Sequence, residues 1–185
     1  EAASPVPFTS ARTYLTYDPQ RQIVQFDEIA LQSAWVSLRA EGQLGLVMQQ
    51  DGWPEAFVGQ LRLADISANP TDMLPEPVAF DSGFVDMRLS LAPFRVEVGQ
   101  RGLRDGATGF HVQGSIEALA AGWSYQIQAA AKALDLAQVL ALWPERAGVK
   151  TRAWVAENVL EGHVSEAQFA LRSEPDSPPE PLISF

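Results

Sequence analysis

The chain has 185 residues, carries 23 acidic against 13 basic side chains for a net charge of −10, and contains no cysteine. That length fits one domain, or two small units fused into one sheet, and it can bury a core without staples. The acidic balance speaks against nucleic-acid binding and against electrostatic docking on an anionic membrane, and the lack of cysteine excludes a disulfide framework or a thiolate metal site.

In chain order, residues 11–17 read as a strand, 18–21 as a turn and 23–31 as a second strand. Residues 34–40 alternate: Ala34, Val36, Leu38 and Ala40 share one face, and Trp35, Ser37 and Arg39 the other. A period of two with one apolar face predicts a half-buried antiparallel strand. Gly42 is read as a bend or bulge, with a further strand piece over 44–48. Asp51-Gly52 is a tight-turn signal, and residues 57–66 follow as a strand with Phe57, Leu61 and Leu63 on one face. Residues 69–77 hold three prolines and read as a joint between two β units, 11–68 and 78–133.

The second unit is predicted to resemble the first, with strands over 84–91, 94–98 and 110–116 and a turn signal at Asp105-Gly106. Residues 123–131 place Trp123, Tyr125, Ile127 and Ala129 on one face. Residues 134–172 then read as helix, helix, strand. Asp135 caps the first helix with Gln138 as capping-box partner, and Leu136, Val139, Leu140 and Trp143 form one apolar stripe. Pro144 stops it. Thr151 is expected to cap the second helix, with Trp143 and Trp154 both expected in the core, and Gly162 permits the exit into a strand over 164–171. Residues 173–185 read as a proline-rich linker and the start of another strand. The fold class is therefore mainly β: a twisted, curved antiparallel sheet, with two short helices near residues 135–160 packed on it.

Signals for catalysis are poor. The two histidines, His111 and His163, lie far apart in sequence, and no nucleophile elbow, phosphate loop, dinucleotide fingerprint or zinc-protease helix is present. The acidic residues fall mostly in turns, at a cap or on strand faces. We expect no enzyme, no metal and no cofactor. The apolar strand faces remain, with Val36, Leu38, Leu61, Leu63, Tyr125, Ile127, Phe169 and Leu171 as candidate groove residues.

One segment carries a resemblance. Trp143-Pro144, followed by Thr151-Arg152-x-Trp154-Val155-x-x-Asn158-Val159-x-x-Gly162-x-Val164-x-x-Ala167, resembles part of the large bacterial AsmA-like proteins, the YhdP branch in particular. It covers about forty residues, within which Trp143, Pro144, Arg152, Trp154 and Gly162 are the structural motif positions. The resemblance implies a periplasmic protein anchored to the inner membrane, with a sheet whose greasy concave face serves lipid transport or outer-membrane homeostasis. It implies lipid acyl chains and neighbouring segments of a longer parent chain as partners. The chain is read as a fragment of that parent, with its joining edges near residues 11 and 185. It has no apolar run near the roughly 20 residues a membrane span needs, so direct insertion by this stretch is not expected. The rival readings are a closed structural or protein-binding envelope module without lipid, and an enzyme with clustered carboxylates in a pocket.

Overall fold

A computed structural model describes residues 8–48, 52–69, 74–105, 108–175, 177 and 180–184. It contains one sheet of ten strands, each antiparallel to its neighbour in sequence, in the order β1 to β10. The strands are β1 (Phe8–Asp18), β2 (Ile23–Ser33), β3 (Val36–Met48), β4 (Pro54–Ala68), β5 (Val78–Leu91), β6 (Phe94–Asp105), β7 (Thr108–Leu119), β8 (Gly122–Asp135), β9 (His163–Ser173) and β10 (Glu180–Ser184). Two helices, α1 (Leu136–Leu142) and α2 (Val149–Asn158), interrupt the meander between β8 and β9. Strand β1 pairs only with β2 and β10 only with β9, so the sheet is open and not a barrel.

The mainly β, antiparallel fold with two short helices near the C-terminal end is as the sequence pattern predicts. Several local readings differ. Gly42 does not divide a strand; β3 runs through it beside a bulge, the register shift against β2 between Phe26 and Ile29, and Gly42 faces Leu61 of β4. A Cβ at Gly42 would run into the Gln60 carbonyl oxygen and meet Leu61 Cα at 3.1 Å, so glycine is there because the strands come close. Trp35 lies outside β3, in the turn after β2, where the Ser33 hydroxyl accepts hydrogen bonds from the Trp35 and Val36 amides at 3.3 and 3.0 Å. The ladder of β4 and β5 extends from Ala56 opposite Ser90 to Ala68 opposite Val78, so the sheet is continuous across the chain's proline-rich joint. Asp51 and Gly106, half of each predicted turn pair, lie outside the described residues.

The helices divide in the same way. Asp135 caps α1 as expected: its carboxylate accepts from the Gln138 amide at 2.8 Å, and the Gln138 side chain accepts from the Asp135 amide at 3.0 Å. Thr151 does not cap α2. That helix starts three residues earlier, from Gly148, which sits in the left-handed region at φ 56°. Trp154 points outward, 60% exposed, so it is not a core residue; Val155 and Arg152 face inward instead. No residue of α2 is buried.

Two apolar clusters form on the sheet. Ala40, Leu44 and Leu61 are the buried centre of one, ringed by Phe26, Leu38, Phe57 and Met87 from β2 to β5. Phe110, Ala131, Leu134, Val139 and Trp143 are the other, where α1 folds back over β7 and β8. Phe80 meets Phe110 edge-on there, with ring centroids 5.0 Å apart.

Candidate functional site

Antiparallel pairing places directly opposed residues on the same face, so the register lines up rows across the sheet. One row reads Val24, Leu44, Gly59, Met87, Val98, Gly114, Ile127 and Leu171, crossing from β2 to β9 without a polar side chain. A second row on the same face reads Leu46, Phe57, Leu89, Val96, Ile116 and Tyr125. The row between them points the other way: Gly45, Val58, Arg88, Glu97, Ser115, Gln126 and Arg172. One face is therefore continuously apolar over eight strands, while the other is largely polar.

The polar face carries ion pairs and amide contacts. Arg95 reaches Glu97 at 3.0 Å and Glu117 at 3.3 Å, and Arg62 approaches Glu41 at 3.5 Å while stacking over Phe84. Gln113 donates to Gln128 at 2.7 Å. At the β1 edge, the hydrogen bond from Arg12 to Glu28 at 2.8 Å, with their charge attraction, holds the Arg12 guanidinium above its ordinary pKa.

On the apolar face Leu44 is only 3% exposed, within a cluster of β2–β5 side chains among the described residues. Glycines let these strands approach closely. A Cβ at Gly59 would strike the Gln43 carbonyl oxygen, and one at Gly114 the Gln126 carbonyl oxygen.

The predicted groove residues fall on this face in two groups. Leu38, Leu61 and Leu63 pack together in the β2–β5 cluster. Ile127, Phe169 and Leu171 line a cavity of about 170 Å³ between the sheet and α1. Val36, opposite Ala68, and Tyr125, opposite Ile116, lie on the face outside both groups. The rows add residues that strand-by-strand reading leaves out, among them Leu44, Met87, Leu89 and Val98. Their signal is cross-strand register, which alternation within a single strand does not contain.

The motif positions hold the roof. Trp143 is buried and donates from its indole Nε1 to the Ala147 carbonyl at 2.7 Å. Pro144 is fully buried after it. Arg152 donates to the Leu140 carbonyl at 3.3 Å, tying α2 to the last turn of α1. Gly162 lies exposed at the entry to β9. These are structural roles, with Trp154 the exception, since it stands in solvent.

Among the described residues the cavity lining includes no side chain that takes up or releases a proton near neutral pH; of its polar groups, the Gln168 amide donates to Glu166 at 3.1 Å and the Trp143 indole to the Ala147 carbonyl. His111 and His163 are exposed on their strands. Among the described residues, no three His, Asp or Glu side chains converge as a metal site, and no helix is long and apolar enough to cross a membrane. Comparisons with protein-family models, curated proteins and solved structures find no match to this chain.

Proposed function

We propose that the apolar face is concave and forms a passive groove for lipid acyl chains, with head groups left in water. The observation that supports this most is the unbroken apolar row from Val24 to Leu171 on a sheet that, among the described residues, is roofed at its helical end. Its residues are buried or half-buried, Val24, Leu44 and Leu171 most of all, so the row offers a shielded apolar wall. Each buried CH₂ contributes about 0.8 kcal/mol, so a sixteen-carbon chain gains on the order of 10 kcal/mol on the face. That is the scale needed to compete with a bilayer. Such a groove needs no catalytic residue. The resemblance of residues 143–167 to AsmA-like, YhdP-type proteins supports a setting in the bacterial periplasm, as a segment of an inner-membrane-anchored protein in outer-membrane lipid homeostasis.

A second reading draws on the helices. Val139 and Trp143 already seal one end of the face, as they would in a structural or protein-binding envelope module that holds no lipid. Native mass spectrometry of the purified chain, with lipid extraction, separates the two. The groove predicts bound phospholipid or uptake of a fluorescent acyl probe. It also predicts at least about a tenfold loss of probe affinity, or about 1.4 kcal/mol, in Leu63→Asp and Ile127→Asp variants whose circular dichroism is unchanged. A ligand-free mass together with no probe uptake by the unaltered chain would sink the groove and favour the closed module.

A further inference from the structure

The cavity under α1 is different in kind from the open face that leads to it. Its floor is built of small side chains, Ala129, Ala131 and Ala167, with Ala131 directly opposite Ala167. Along the same strands the neighbouring inward positions are large: Ile127, Phe169 and Leu171. The hollow is thus set by side-chain size, and Val139, Leu142 and Trp143 close it from above. At about 170 Å³ it is slightly larger than the roughly 150 Å³ apolar cavities that stay dry and admit a benzene-sized guest. That is room for a few carbons of one chain, and not for a whole lipid.

Its chemistry decides which part of a lipid fits. A phosphate or carboxylate needs cations or hydrogen-bond donors, and the described lining residues offer neither, since the Gln168 amide is turned to Glu166 and the Trp143 indole to the Ala147 carbonyl. A hydrocarbon end needs nothing but dry apolar walls. Ile127 and Leu171 belong both to the cavity lining and to the apolar row, so the hollow is continuous with the face.

We infer that this cavity is the seat for the terminal methyl end of a single acyl chain, which fixes the chain's direction on the sheet: tail under α1, head toward β2. This rests on the groove reading above and adds polarity and a defined end to it.

The test uses the whole chain and hexadecanoic acid carrying a diazirine on its terminal carbon, with binding and photolabelling measured on the same samples. Labelled peptides should map to β8 and α1 around residues 127–143. In Ala129→Phe, which fills the floor, that label should fall at least about tenfold while the acid still binds the face. Ala129→Leu is a milder filling variant should the phenylalanine disturb folding. Label on β3 and β4 with binding intact, or label under α1 unchanged in both filling variants, overturns the chain-end assignment and leaves the groove standing. No binding of the acid to the unaltered chain removes the groove itself and this inference with it.

Discussion

Gly114 and Gly109 lie on the same strand, and one added methyl group should have opposite consequences at the two. A Cβ at Gly114 would drive into the Gln126 carbonyl oxygen and sit 3.0 Å from Ile127 Cα, both backbone atoms that cannot swing aside. A Cβ at Gly109 meets nothing within 4 Å. Gly114→Ala should therefore destabilise by about 2 kcal/mol or more, and Gly109→Ala by no more than about 0.5 kcal/mol. Urea midpoints at constant slope would show it. The tryptophans give a parallel contrast. Trp143 is buried in the cluster under α1, so Trp143→Ala should cost about 3–5 kcal/mol. Trp154 is 60% exposed, so its replacement should cost no more than about 0.5 kcal/mol. Circular dichroism is the suitable readout, because both variants change the fluorescence. In sequence the two residues look alike, each a tryptophan in an apolar helical run. What separates them is which face of α2 packs: Val155 and Arg152 meet the α1 end, and that choice is tertiary and leaves no mark in the local sequence.

At the scale of elements, legibility followed the strength of the local code. The strands announce themselves because period-two alternation is set by the pleat and needs no tertiary context. α1 announces itself because its cap is chemical. Asp135 and Gln138 satisfy each other's amides, so Asp135→Ala should cost about 1 kcal/mol in a thermal or urea melt. The Asp135→Asn variant should recover most of that loss, since asparagine caps nearly as well. The rows of the candidate groove were not legible, because register shifts intervene at Phe26/Ile29, Ser37/Arg39, Gly83/Met87 and Val98/Arg101. Each shift changes which residues oppose one another, and nothing within a single strand encodes it. Leu61 and Ile127 could be chosen by alternation, but that one face carries both could not. The cavity was further out of reach, since it exists only where α1 folds back over alanines of β8 and β9.

At the scale of the molecule, the sheet is close to one-dimensional. Every strand pairs only with its neighbours in sequence, and the two apolar clusters share no residue. One lies on β2–β5; the other joins α1 and α2 to β5–β9 at the other end of the same face. In such an architecture stability is a sum of local and nearest-neighbour contributions, as in stacked repeats, and need not be lost all at once. A compact single-core domain behaves otherwise, with any core substitution lowering the protection of every slow amide together. Native-state hydrogen exchange read strand by strand distinguishes the two. Leu44→Ala should cost about 2–3 kcal/mol, and that loss should appear in the amides of β2, β3 and β4. The amides of β8 and β9 should change by less than about 0.5 kcal/mol. Val139→Ala should do the reverse. α2, without a buried residue, should exchange faster than α1 in the unaltered chain. Equal losses across all strands in both variants would show that the apolar face folds as one cooperative core. Separate losses would mean that the roofed end can open while the β2–β5 cluster stays formed, which is the motion a chain end would need to enter beneath α1.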